Sequence, residues 1–68
     1  MTNETIKSFA DSRETSIEIA EAIFELAGND ESVAQAIWEN GDARVATLAF
    51  SKTDENELFW GEEKVVRK

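Results

Sequence analysis

The sequence predicts a mainly α-helical domain: a compact bundle of three to four short helices followed by an extended C-terminal segment. Apolar residues recur at helical spacing through most of the chain, and no proline interrupts them. The three glycines, at positions 28, 41 and 61, fall between apolar stretches and mark their ends. A chain of 68 residues forms one domain, so residues 1–68 are assigned to a single unit. The alternative is an α+β domain, with three helices and then a β-hairpin, as in winged-helix proteins.

The first two helices are predicted over about residues 3–10 and 15–27. Thr15 lies three residues before Glu18, which is the spacing of a capping box with Thr15 as N-cap. Gly28 then supplies the left-handed residue that commonly follows a helix. The apolar faces are Ile6, Phe9 and Ala10 in the first helix, and Ile19, Ala20, Ile23, Phe24, Leu26 and Ala27 in the second.

A third helix is predicted over about residues 31–39. Asp30 precedes it and has the side chain of a typical N-cap. Trp38 falls on the apolar face of this helix, as Phe24 does on the second, so we expect the two rings to be buried against each other.

The stretch from Ala43 to Phe50 fits two structures. Asp42 can cap a helix there, and three alanines favour that structure. The same residues also alternate as in a strand, in which case the segment 58–66 would supply the second strand of a hairpin. We favour a fourth helix, because Gly41 followed by Asp42 is typical of a helix start.

The charge of the chain is strongly negative and unevenly distributed. The formal net charge is −8, from fifteen acidic and seven basic residues. Residues 1–63 contain all fifteen acids and four of the basic residues, so this part alone carries −11. Such a surface repels phosphate backbones and attracts basic surfaces. The predicted partner is therefore a basic protein surface, and direct binding to nucleic acid is not expected.

Four glutamates in and before the second helix form the first candidate binding surface. They are Glu14, Glu18, Glu21 and Glu25, whose spacing of 4, 3 and 4 places them on one stripe of a helix. Two interpretations remain open. The stripe is either a solvated polar face or a contact surface for the lysines and arginines of a partner.

Phe59 and Trp60 form the second candidate binding surface. In a strand, neighbouring side chains point to opposite faces, so Phe59 cannot be buried on the same side as Leu58 and Trp60. A large aromatic ring left exposed beside acidic residues is a plausible anchor for a partner. The alternative is that both rings pack beneath the helices.

The residue types that commonly carry catalysis or bind metal are either absent or do not occur in a recognisable motif. The chain has no cysteine and no histidine, which removes the commonest zinc ligands and the commonest general base at neutral pH. No phosphate-binding glycine loop or nucleophile motif occurs. The sequence therefore predicts no enzyme, no cofactor and no metal site. It also predicts no membrane span, and a cysteine-free chain fits a cytoplasmic protein.

In size, acidity and lack of a catalytic site, the chain resembles the small phage-encoded inhibitors of host defence, such as anti-CRISPR and anti-restriction proteins. The resemblance implies stoichiometric binding to a nucleic-acid-handling protein. The leading hypothesis is thus a non-enzymatic acidic module that binds and inhibits or modulates a basic, nucleic-acid-binding protein. The alternative is a structural or assembly protein that forms homo-oligomers. A winged-helix-like transcriptional regulator is the third hypothesis, although Glu31, Gln35 and Glu39 would make its recognition helix acidic.

Overall fold

The computed structural model describes residues 3–67, which form an α+β domain of four helices and a two-stranded antiparallel hairpin. The fourth helix is confirmed over 43–50. The hairpin of the alternative fold is also present, but both of its strands lie within 57–66, and the segment 43–50 contributes neither. In chain order the elements are α1 (Asn3–Arg13), α2 (Ile17–Leu26), α3 (Glu31–Asn40), α4 (Ala43–Phe50), β1 (Glu57–Trp60) and β2 (Glu63–Val66).

Helix α2 is the centre of the domain, because α1, α3, α4 and β1 all pack against it. Its residues Ile19, Ile23 and Phe24 are almost completely buried, as is Val45 of α4. Removing an apolar side chain of this size from water stabilises a fold by about 1.5–3 kcal/mol. The core therefore forms where the sequence places the apolar face of the second helix.

The N-terminus of α2 differs from the predicted capping box. The helix begins at Ile17, and its N-cap is Ser16, whose side chain makes no capping hydrogen bond. Helix α1 is also longer than predicted and ends at Arg13, followed by Glu14 in the left-handed region with φ 54°. The hydroxyl groups of Thr15 and Ser16 instead bond to the backbone of Phe59. Tertiary partners have replaced the local cap.

The caps predicted for the next two helices are confirmed. The carboxylate of Asp30 accepts hydrogen bonds from the backbone N–H groups of Ser32, at 2.9 Å, and Val33, at 3.4 Å. Asp42 does the same for the N–H of Arg44, at 2.9 Å. These bonds satisfy donors that have no partner within the first turn of a helix.

The hairpin has a tight turn and two distinct faces. Phe59 pairs with Lys64 and Leu58 with Val65. At the turn, Gly61 has φ 60° and the following residue does not have positive φ, which is the pattern of a type II′ turn. Leu58 is buried on the inner face, whereas Phe59 is exposed on the outer one. The inner face therefore closes the core beside α2.

A row of aromatic rings connects the core to the hairpin. The Phe9 ring contacts Phe24 edge-on, with centroids 5.1 Å apart, and contacts Trp38 at 6.3 Å. Trp38 stacks on Trp60 at 4.8 Å, with an angle of 6° between the ring planes. Phe24 is buried as expected, but its ring contact is with Phe9, which lies between it and Trp38. Helix α1 is thus part of the core and not an accessory to it.

Candidate partner-binding surface

The exposed side of α2 is a narrow strip, because the other sides of the helix are covered. Its carboxylates are Glu18, which is half-buried, and Glu21 and Glu25, which are exposed. We call these three residues the acidic ridge. Glu14 is exposed but lies in the turn before α2. The predicted stripe of four on one helix is therefore wrong for Glu14, because the helix begins three residues after it.

The three carboxylates of the ridge differ in what they contact. Glu25 forms an ion pair with Lys52, with Oε2 and Nζ 2.8 Å apart. Glu18 and Glu21 make no described ion pair within residues 3–67. An exposed ion pair contributes little to stability, about 0–1 kcal/mol, but it does offset the charge of Glu25. The uncompensated charge of the ridge is concentrated at Glu18 and Glu21.

Phe59 lies close to the N-terminal end of the ridge. Ser16 donates its backbone N–H to the carbonyl of Phe59 at 2.9 Å and accepts the N–H of Phe59 on its Oγ, also at 2.9 Å. The Phe59 side chain is 47% exposed, and Ile17, which follows Ser16, is 37% exposed. The two predicted candidate surfaces therefore adjoin where β1 meets the first turn of α2. Sequence reasoning did not identify Ile17 as part of an exposed surface.

Trp60 has a packing role. It lies on the inner face of the hairpin, is half-buried, and stacks on Trp38. Gly61, in the turn of the hairpin, lies against the Trp38 ring and close to the carbonyl of Arg13 at the end of α1. Of the two aromatic residues predicted to contact a partner, only Phe59 presents its ring on the outer face.

The basic side chains are largely occupied within the chain. Arg13 lies 3.8 Å above the centroid of the Phe9 ring, and Arg67 donates to the carbonyls of Phe50, Thr53 and Glu55. Ion pairs join Arg44 to Asp42 at 2.7 Å, Lys52 to Glu25 at 2.8 Å and Lys64 to Glu57 at 3.6 Å. Among the described residues, Lys7 is the basic side chain left without a described partner. The charge presented to a binding partner is therefore mainly carboxylate.

Asp42 is the carboxylate whose titration is most changed by its surroundings. Hydrogen bonds from the Arg44 side chain, and then from the Arg44 backbone N–H, lower the pKa of Asp42 to about 2. The same contact raises the pKa of Arg44. This pair fixes the start of α4 and is a structural feature rather than a chemical site.

Open grooves lie on two sides of the described domain. One, of about 460 Å³, lies between α1 and α3 and is lined mainly by polar residues such as Glu4, Ser8 and Gln35. The other, of about 490 Å³, lies beside α4 and is lined by Leu26 and Leu48. Over residues 3–67, no three carboxylates lie close enough together to hold a metal ion. In the same part of the chain, no helix has the length and apolar character needed to cross a membrane.

These features define a small acidic domain with a central helix, a docked C-terminal hairpin and a surface dominated by carboxylates. The chain belongs to the YccJ-like protein family, whose model matches residues 4–68. It is 54% identical over 63 residues to the protein YccJ of Escherichia coli K12, covering 93% of this chain and 84% of the relative. The YccJ proteins of E. coli O6:H1 and Shigella flexneri match to the same extent. No solved structure matches the chain.

The family assignment corrects the resemblance drawn from size and charge. The relatives are bacterial YccJ proteins, and nothing among them connects the chain to phage, anti-CRISPR or anti-restriction proteins. The earlier resemblance rested on acidity and small size, which unrelated proteins share. The names of the relatives assign no activity, substrate or partner.

Proposed function

We propose that this chain is a non-enzymatic, acidic protein-interaction module that binds the basic surface of a nucleic-acid-binding protein and modulates that protein. The observation that carries the proposal is that Glu18 and Glu21, which have no described ion pair, lie on the helix whose N-cap, Ser16, is hydrogen-bonded to the backbone of the exposed Phe59. The proposed compartment is the cytoplasm, which suits a chain without cysteine.

The chemistry of this surface favours a cationic protein over a nucleic acid. Unpaired carboxylates attract lysine and arginine side chains and repel phosphates. A partially exposed aromatic ring surrounded by charge is typical of an interface anchor, because the ring becomes desolvated while the charges orient the partner. A basic surface that normally binds phosphates presents the lysines and arginines that such a ridge would attract.

The carboxylates of the ridge are tested by a double variant, Glu18→Gln with Glu21→Gln. The control is Glu39→Gln with Asp54→Asn, which removes the same charge from exposed positions outside α2. Tagged parent and variants are used to capture partners from an E. coli lysate, and captured proteins are quantified by mass spectrometry. We expect one basic protein to be retained by the parent and the control and depleted with the ridge variant.

The purified partner then allows a quantitative test. At low salt, the ridge variant should associate about tenfold more slowly than the parent, and its association rate should depend less steeply on salt concentration. Phe59→Ala should instead accelerate dissociation by about tenfold or more, with Val33→Ala as a control on another exposed apolar residue. Equal rates and equal salt dependence for parent and ridge variant would remove Glu18 and Glu21 from the interface.

A further inference from the structure

The two edges of the hairpin are not equivalent. On the outer edge of β1, the N–H and C=O of Phe59 are both bonded to Ser16. Phe59 therefore does not exchange hydrogen bonds with Lys64, its partner in the register. In an antiparallel ladder, hydrogen-bonded and non-hydrogen-bonded pairs alternate. The bond from the N–H of Arg67 to the carbonyl of Asn56, at 2.8 Å, follows the same alternation.

The outer edge of β2 is open. Because Lys64 and Val66 occupy non-hydrogen-bonded pairs, their N–H and C=O groups point away from β1. No backbone hydrogen bond is described for either residue within 3–67. Val66 is also 55% exposed, the largest exposure among the large apolar residues of the described part of the chain. An unpaired edge with an exposed valine is a template for another strand.

The sequence of this edge is complementary to itself when read in the opposite direction. If Val65 is placed opposite Val65 of a second copy, Lys64 faces Val66 and Glu63 faces Arg67. Glu63 is exposed and makes no described ion pair. Arg67 bonds through its Nε and Nη2 atoms, and no bond is described for its Nη1. The charges on the edge therefore match a second copy in this register.

We propose that the chain forms a symmetric homodimer in which the β2 strands of two copies pair antiparallel about Val65. The two hairpins then become one four-stranded sheet. Lys64 and Val66 of opposite copies form two hydrogen-bonded pairs, each of which exchanges two N–H···O=C bonds. Val66 of each copy is covered by the strand of the other copy and by the aliphatic part of that copy's Lys64 side chain.

A second copy is favoured because the edge lies in a part of the chain where basic residues predominate. Residues 64–67 contain a lysine and an arginine and no acid, so two edges approach with little repulsion once Glu63 faces Arg67. Only a short strand is buried, well below the area of a standard stable interface. The dimer is therefore weak and concentration-dependent. This association does not depend on the acidic ridge, which lies on α2.

The first test is sedimentation equilibrium of the full chain from about 10 μM to 1 mM, a range suited to a small interface. The parent should show a reversible monomer–dimer equilibrium. Val66→Lys should raise the dissociation constant by at least tenfold, and Val33→Lys, an exposed valine on α3, should leave it unchanged. A monomeric parent throughout this range, or equal effects of the two substitutions, would overturn the proposal.

The register is tested by single cysteines, since the chain has none of its own. Val65 lies on the two-fold axis as a non-hydrogen-bonded pair, where Cα atoms are about 4.5 Å apart and a disulfide can form. Under mild oxidation, Val65→Cys should form a disulfide-linked dimer faster than Val66→Cys, which faces Lys64 of the other copy. Equal or reversed rates, with the fold verified by circular dichroism, would rule out pairing about Val65.

Discussion

Ser16 holds both backbone hydrogen-bonding groups of Phe59, across 43 residues of chain. The hydroxyl of Thr15 donates to the same Phe59 carbonyl. Thr15 and Ser16, the two residues before α2, thus satisfy the edge of β1 at Phe59. The edge is satisfied where it meets the core, and the Phe59 ring is fixed in its outward orientation.

Ser16→Ala should destabilise the domain by about 0.5–1.5 kcal/mol, because the N–H of Phe59 loses its acceptor. The loss should be measurable by urea unfolding, and the Phe59 amide should exchange with solvent faster. Ser8→Ala is the control, since Ser8 is exposed on α1 with no described hydrogen bond. If both substitutions leave stability unchanged, Ser16 does not hold β1 in solution.

Trp60→Ala should cost about 2–3 kcal/mol, from lost apolar burial and from the lost stack on Trp38. Two indole rings only 4.8 Å apart and nearly parallel should also couple optically. We expect the near-ultraviolet circular dichroism to lose intensity in Trp60→Phe even where the fold is retained. An unchanged spectrum in that variant would contradict the stacked arrangement.

Phe24→Ala should cost about 3–5 kcal/mol, since the ring is fully buried and its removal leaves a cavity. A 68-residue domain has a total stability of about 3–10 kcal/mol, at roughly 0.05–0.15 kcal/mol per residue, so the variant should be largely unfolded. Thermal melting followed at 222 nm provides the measurement. Val33→Ala, at an exposed site, should melt close to the parent.

Asp42 should titrate near pH 2 in a carboxyl-detected NMR experiment, well below its ordinary value of 3.8. Folding lowers the pKa of Asp42, so the ionised carboxylate stabilises the folded state. This stabilisation is present above pH 3.8 and is lost as the pH falls through about 2. Arg44→Met removes the side-chain hydrogen bonds and should raise the midpoint, although the Arg44 backbone bond persists. Lys7→Met, far along the chain, should leave the midpoint where it is.

The features that sequence predicted correctly depend on short-range chemistry. Asp30 and Asp42 are followed at once by helices with free N–H groups, so the caps need no distant partner. The assignment of α4 succeeded for the same reason. Thr15 is also a residue type that commonly caps a helix, but its hydroxyl bonds to the backbone carbonyl of Phe59 instead. No local pattern contains that residue, so the start of α2 was misplaced.

The candidate surface was predicted less completely than the helices. Glu18, Glu21 and Glu25 share one side of α2 because helical periodicity requires it. Glu14 does not lie on this helix, because the predicted periodicity was extended through a turn. The pairing of Glu25 with Lys52 joins α2 to the turn that follows α4 and could not be predicted before those elements were positioned. The same holds for Ile17, because only folding brings the start of α2 next to Phe59.

Arg67, which directly follows β2, links the hairpin to the loop 51–56 through its side-chain hydrogen bonds. The Arg67 guanidinium donates hydrogen bonds to the carbonyls of Phe50, Thr53 and Glu55. Its central carbon lies 4.9 Å from the centroid of the Phe50 ring. Local opening of either segment breaks the bonds that order the other. The loop has no apolar residue of its own, so its conformation depends on these hydrogen bonds. Ordering of one segment is therefore transmitted to the other through this one side chain.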